Sequence, residues 1–384
     1  MKSITKPADA PAAHAEAGRA ALQALSREEL QALVKEAGAP AYRADQILHW
    51  LYRQRVGGWD GMRNVPKSLR EHLAERLVFY PLTLVRVQGS RDTTRKFLWR
   101  LADGSFVESV LIPANPALYG ERSDRRTLCV STQVGCAYGC KFCASGLLGW
   151  KRNLTPDEIV EQVLSVERWY AQQADREGAD GSGLRAVDNL VIMGMGEPLA
   201  NYAHLMKALA LLNAPWGGGI GARKITVSTS GLVPQIRQLA DQPLGVQLAI
   251  SLHGATDEVR GKIMPVNRKY PLKELLAACE YYVSRKGRMI TLEYILIEGV
   301  NDALSEVPKL ALLARRLHAK VNLIPYNPVE GLAWRRPAEA HCEAFLEGLL
   351  QRRVTATLRR EKGCDIDAAC GQLRLRMEQE RSAV

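Results

Sequence analysis

From residue 126 onward, short apolar runs rich in valine, isoleucine and leucine alternate with longer stretches of helical periodicity. The runs are Leu128–Thr132, Leu190–Met193, Lys224–Ser228, Gln247–Leu252, Thr291–Ile297 and Val321–Ile324, and a seventh, Val354–Leu358, follows. Strands covered on both faces read as nearly continuous apolar runs, and their alternation with crossover-length helices predicts a parallel, curved sheet. One helix has a readable start. Thr155, Pro156, Asp157 and Glu158 give an N-cap, a proline at the first helical position and a capping-box glutamate ahead of I-V-E-Q-V-L.

Upstream the periodicity is different. Ser26 opens S-R-E-E, a capping box with Glu29, and Asp45 to Arg53 carries apolar residues at helical spacing. Leu82 to Pro113 reads as short strands, R-K-F-L-W-R-L and F-V-E-S-V-L-I-P around a glycine-bearing turn, which predicts a hairpin. The expected fold class is α/β, a partial (β/α)6 barrel with a small N-terminal helical accessory domain. The expected division is a disordered tail at 1–25, the helical domain at 26–80, a β-hairpin linker region at 81–121, the barrel at 122–360 and a C-terminal segment at 361–384.

The 384 residues suffice for one large domain and a small one. No apolar run is long enough to span a bilayer, and the alanine-rich N-terminus lacks the apolar core of a secretory signal. Eight cysteines in a chain this long, three of them clustered, argue against a disulfide scaffold and for a reducing cytoplasm. The net charge of +11 points to an anionic partner. Arg122, Arg125, Arg126, Lys141, Lys151 and Arg152 bracket the clustered cysteines; Arg352, Arg353, Arg359, Arg360, Lys362, Arg374 and Arg376 surround the last ones. Two basic zones at two reactive centres favour a phosphate backbone over solvated surface charge.

The cluster is Cys136, Cys140 and Cys143 in G-C-A-Y-G-C-K-F-C. A four-iron cluster normally takes four cysteines, so three leave one iron open to substrate or cofactor. A zinc site would pair such cysteines with a second ligand pair farther along, and the nearest histidine downstream, His204, sits amid ordinary helical sequence and offers no such pair. Barrels gather function where strands end in loops. The predicted strands run into the cysteine loop, G-M-G-E-P (194–198), S-T-S-G (228–231), S-L-H-G (251–254) and P-Y-N-P (325–328). Glycines there permit close backbone approach, and Glu197, Ser228, His253 and Asn327 can hydrogen-bond a polar ligand. Cys279 and Cys342 lie on helical patterns and read as core residues.

C-x3-C-x2-C with an aromatic before the last cysteine resembles the radical S-adenosylmethionine (SAM) enzymes. G-C-D-I-D-A-A-C-G-Q-L near the C-terminus, T-L-C-V-S-T-Q-V-G-C around Cys129, F-V-E-S-V-L-I-P, K-R-N-L-T and V-N-L-I-P-Y-N-P narrow the resemblance to the radical SAM RNA methyltransferases of adenine C2. It covers the chain from about Ser26 on, and it implies that the helical module is helix-hairpin-helix-like. It also implies a 4Fe-4S cluster on Cys136, Cys140 and Cys143, and two SAM per turnover, held by Gly196, Glu197, Ser228, Ser251, Leu252, His253 and Asn327. Adenine C2, between two electron-withdrawing nitrogens, is too poor a nucleophile for polar methyl transfer. The resemblance therefore assigns Cys370 as methyl carrier, Glu108 as acceptor of the C2 proton and Cys129 as the thiol that releases product through a transient Cys129–Cys370 disulfide.

The implied substrates are 23S ribosomal RNA, at an adenine of the peptidyl-transferase centre, and transfer RNA beside the anticodon, each with the base out of its stack. A flavodoxin- or ferredoxin-type electron donor, a monomeric state and no membrane partner complete the expectation. Cys364 departs from the family pattern and is a competing thiol. A C8-specific relative acting on the same adenine shares both cysteines and stays open as an alternative, as does a non-catalytic iron–sulfur RNA-binding protein.

Overall fold

The computed structural model describes residues 19–114, 125–178, 184–329, 331–359 and 371–382. Cys364 and Cys370 lie outside the described residues. Near the N-terminus, α1 (Arg27–Glu36), α2 (Tyr42–Tyr52) and α3 (Lys67–Arg76) pack around Leu30, Val34, Ile47, Leu51 and Leu73. The capping box forms as its residues predict: the Ser26 hydroxyl accepts from the Glu29 amide at 3.1 Å, and the Glu29 carboxylate accepts from the Ser26 amide at 2.6 Å. A parallel pair, β1 (Ala20–Ala21) with β2 (Leu77–Val78), joins the two ends of this module.

Next come β3 (Thr83–Gly89), β4 (Arg95–Arg100) and β5 (Phe106–Pro113). The predicted hairpin is β4 with β5, Arg95 opposite Leu111 and Arg100 opposite Phe106, and β3 adds a third antiparallel strand outside it. β5 also pairs with β6 (Arg126–Cys129), so this meander runs on into the main sheet. The chain then leaves through β7 (Gln133–Gly135) and returns through β8 (Trp150–Asn153), a small antiparallel pair that frames the cysteine loop.

The rest alternates: α4 (Pro156–Arg176), β9 (Asn189–Ile192), α5 (Tyr202–Asn213), β10 (Ile225–Thr229), α6 (Val233–Asp241), β11 (Gln247–Ser251), α7 (Asp257–Ile263), α8 (Leu272–Lys286), β12 (Thr291–Leu296), α9 (Val307–Arg316), β13 (Lys320–Pro325), α10 (Glu339–Gln351), β14 (Ala356–Leu358) and α11 (Gln372–Ser382). Each predicted run becomes a strand, its ends shifted by a few residues. The sheet order is β14-β13-β12-β11-β10-β9-β6-β5-β4-β3, parallel from β6 to β14. Each new parallel strand joins on the same side as the last, the winding of a barrel and not of a doubly wound sheet. Cys279 and Cys342 are fully buried core residues, as expected. Among the described residues no helix is long and apolar enough to cross a membrane.

Two faces of β4–β6 carry different loads. One joins the main core through Phe97, Trp99 and Val107; there Gln162 of α4 accepts from the Ser131 amide at 2.8 Å and the Ser109 hydroxyl at 3.0 Å. The other face is covered by α11, whose Leu373 packs on Leu98 and Phe106.

The basic zones expected from the sequence shrink. Arg152, 5% exposed, forks onto both oxygens of Glu158 at 2.7 and 2.8 Å and gives Nε to Asp103 at 2.7 Å. Arg374, 2% exposed, gives Nε to Glu378 at 2.8 Å. Both serve the fold, because a buried guanidinium needs carboxylates more than a distant phosphate can supply. Lys141, Arg352, Arg353, Arg359 and Arg376 remain exposed. Arg152→Met strands the buried Glu158 carboxylate and is expected to lower the unfolding free energy by about 3 kcal/mol in urea titration.

Candidate active site

The cysteine loop and the ends of β9–β13 line a cavity of about 340 Å³. Its wall is assembled from the loop after each strand. Cys136, Cys140 and Cys143 come from the loop between β7 and β8; Gly196 and Glu197 from that after β9; Ser228 from the end of β10; Ser251 and His253 from the end of β11; Asn327 from beyond β13. Of the predicted ligand-binding residues only Leu252 is off the wall. Its side chain is buried in the core, and its backbone ties the floor together: the amide donates to Glu293 O at 3.0 Å and the carbonyl accepts from Arg260 Nε at 3.1 Å.

The cysteine loop is held by its backbone. The Cys136 amide donates to Gly149 O at 3.1 Å, the Cys143 amide to Cys140 O at 3.1 Å, and the Lys141 amide to Ile263 O at 3.0 Å. A 3-10 turn at Ala144–Gly146 follows the last cysteine. Burial pushes the Cys136 thiol up to about 12 and Cys140 well above its ordinary value, and the neighbouring thiols push both in the same direction. Three crowded thiols gain most from a metal centre, which takes sulfur as thiolate. Among the described residues no fourth cysteine stands on the wall. No three His, Cys, Asp or Glu among them are grouped as a single metal ion requires, whereas a four-iron cluster takes each cysteine on a different iron. The donor set fits such a cluster, with a carboxylate, an imidazole, hydroxyls and an amide beside it for a polar cofactor.

Close backbone contacts explain the glycines of G-M-G-E-P. The Gly194 amide donates to Val130 O at 3.0 Å, and a Cβ at Gly194 would stand 2.6 Å from the Val130 carbonyl. Gly196 has φ +101° and would carry a Cβ 2.6 Å from Gln133 Cβ. Gly194 presses the loop onto the end of β6 and Gly196 onto the start of β7, which aims Glu197 into the cavity. Its carboxylate accepts from the Leu199 amide at 3.0 Å and the Ser230 amide at 2.7 Å; burial raises its pKa against those bonds.

His253 stands in the left-handed region at φ 57°. The Ile295 amide donates to its Nδ1 at 3.0 Å, so in the neutral ring the proton sits on Nε2. Burial, with the charge of Arg260, brings its pKa down to about 3. The unfolded chain therefore binds a proton below about 6.5 that the folded one refuses. Stability is expected to decline from there toward pH 3, and the difference between wild type and His253→Asn in pH-dependent urea titration isolates this contribution.

Three residues of the site escaped sequence reasoning. Arg260, fully buried, bonds Leu252 O, Ser230 O and Asn267 Oδ1, drawing the ends of β10 and β11 together. Glu293 on β12 lines the cavity and accepts from Asn322 Nδ2 at 2.7 Å, and Arg359 lines it beyond β14. Glu293 left a trace in the chain as a lone charge inside an apolar run, and Arg359 was read as part of a basic zone, not as a wall of the cavity.

Glu108 and Cys129 lie off the cavity wall, on the face of β5 and β6 that α11 covers. Cys129 pairs in register with Val110, and Glu108, two residues from Val110, points to the same side. Both are buried. Glu108 Oε2 accepts from the Gly371 amide at 2.7 Å, and Oε1 accepts from the Arg374 amide at 2.7 Å. This carboxylate thus grips the first turn of α11, one residue past Cys370.

Residues 20–79 match the family description "Ribosomal RNA large subunit methyltransferase N-terminal domain", and residues 183–311 match the radical SAM superfamily. The chain is 57% identical to the "Probable dual-specificity RNA methyltransferase RlmN 3" of Opitutus terrae, over 93% of this chain and 95% of that protein. It is 52% identical to the "Probable dual-specificity RNA methyltransferase RlmN" of Akkermansia muciniphila, over 94% and 97%. Among solved structures, a radical SAM methyltransferase from Sphaerobacter thermophilus superposes with a TM-score of 0.83 at 46% identity, covering 92% of this chain and 98% of that one.

Proposed function

Since the chain belongs to the RlmN family of radical SAM RNA methyltransferases, whose cofactors are a 4Fe-4S cluster and SAM, we propose that it methylates C2 of an adenine in 23S ribosomal RNA, at the peptidyl-transferase centre, and of the adenine beside the anticodon in transfer RNA. When bound, the cluster and SAM supply a methyl group and a radical able to take hydrogen from it. The chain's own residues divide the remaining work. Cys136, Cys140 and Cys143 hold the cluster. Gly196, Glu197, Ser228, Ser251, His253, Asn327 and the backbone of Leu252 hold SAM. Cys370 carries the methyl group as a thioether and delivers its carbon to C2. Glu108 takes the C2 proton. The adduct's odd electron would pass back to the one-electron centre that supplied it. The Cys129 thiolate then attacks the Cys370 sulfur; as the disulfide forms, the bond from that sulfur to the added carbon breaks, the carbon keeping the electron pair and taking a proton to become the methyl group. An external thiol or electron donor must reduce the disulfide before the next turnover.

The observation that carries this reading is the grip of Glu108 on Gly371. It sets the residue after Cys370 on the sheet face that holds Cys129. Delivery of one electron by a flavodoxin- or ferredoxin-type protein, action as a monomer and a cytoplasmic setting belong to the same proposal. The test is anaerobic turnover, with dithionite as reductant, on a 23S fragment and on transfer RNA, followed by nucleoside mass spectrometry. The expected product is 2-methyladenosine from both RNAs. Appearance of 8-methyladenosine assigns the other ring carbon, and 2-methyladenosine from ribosomal RNA alone removes transfer RNA from the proposal.

A further inference from the structure

Lys96 on β4 is fully buried, and its ammonium stands 3.0 Å from Glu108 Oε2. A lysine taken wholly out of water persists only against a paired charge. The fold alone has little use for the pair, since buried ion pairs replaced by apolar residues of similar volume usually leave stability unchanged or improved. The same sheet face already carries an apolar solution one step away, where Leu98 and Phe106 bury against Leu373.

The register gives Lys96 its place. Lys96 lies opposite Val110 and Val110 opposite Cys129, so the three form a row across β4, β5 and β6 with their side chains on one face. Glu108 lies beside that row. Its two oxygens are divided between the Gly371 and Arg374 amides, and the ammonium of Lys96 shares the oxygen that holds Gly371. A carboxylate side chain turns easily about its last bond; three donors from two directions fix it.

We propose that Lys96 is a positioning residue for methyl transfer: through Glu108 it fixes the first turn of α11, and so sets where Cys370, the residue before Gly371, meets Cys129 and the target base. This rests on the roles given above to Glu108 and Cys370. Lys96 is not on the cavity wall, so its loss should spare cluster assembly and SAM cleavage.

The test is a double-mutant cycle on the full-length, cluster-loaded protein, comparing Lys96→Met, Glu108→Gln and the double variant. Cluster absorbance and dithionite-driven release of 5'-deoxyadenosine report the barrel; RNA methylation reports the chemistry. Lys96→Met is expected to keep both barrel readouts, to lose about a hundredfold in kcat through misplacement of the reacting groups, and to leave KM for RNA nearly unchanged. Because Lys96 acts through Glu108, the double variant should be no slower than Glu108→Gln alone. Wild-type kcat in Lys96→Met, or losses that add in the double variant, overturns the proposal. Should Lys96→Met lose the cluster, the charge-neutral double variant is compared with Glu108→Gln: equal rates support the proposal and a further loss overturns it. Full methylation by Glu108→Gln indicts the role of Glu108 instead, which separates the two failures.

Discussion

Cys370→Ala is expected to assemble its cluster and cleave SAM at near the normal rate while producing no methylated RNA. In the proposed mechanism Cys370 is a covalent participant, and removal of such a group costs roughly four orders of magnitude or more in turnover. The residues proposed for the radical half lie elsewhere: the cysteine loop is tied down by Gly149, Ile263 and its own turn, and the cavity-lining residues by strands β9–β13. Anaerobic incubation with dithionite, with parallel measurement of 5'-deoxyadenosine and of methylated nucleosides, separates the two halves. If Cys370→Ala still yields 2-methyladenosine, the carrier is another thiol, and Cys364 is then the first to replace.

Gly371→Ala is expected to lower methylation by about a hundredfold with the cluster intact, the scale of effect for a reacting group displaced by about an ångström. Gly371 has φ +86°, where a side chain is strained, and a Cβ there would lie 2.8 Å from the Ser145 amide and 2.9 Å from its hydroxyl. Ser145 belongs to the turn directly after Cys143 and cannot retreat without dragging the cysteine loop. The alanine must therefore push α11 away and loosen the Glu108 bond to residue 371. Mass spectrometry of the protein after turnover should show Cys370 methylated but its methyl group poorly delivered. Rates equal to wild type would mean that the first turn of α11 tolerates displacement, contrary to the mechanism proposed above.

The parallel strands were legible because burial on both faces leaves few polar positions, and Leu190, Val227, Leu248 and Leu292 are almost wholly buried. The ends of those strands announced the cavity wall, since glycine and small polar residues interrupt apolar runs where backbone must approach something closely. Arg260 was hidden for the opposite reason: its bonds reach Ser230, Leu252 and Asn267 from a short helix whose local pattern demands no arginine. The basic zones misled because charge in a sequence carries no depth. Arg152 and Arg374 look like Lys141 and Arg359 until their carboxylate partners are placed. For Glu108, a motif suggested chemistry, while its bonds to a segment more than 260 residues later appear only once β5 and α11 are packed together.

A helix end on a protein surface ordinarily frays unless something ties it down. In α11 the fastening is at the beginning, by a carboxylate embedded in the sheet beneath. Two backbone amides at the start of α11 thus share one side chain of β5, and the helix cannot slide along that strand without breaking both bonds together.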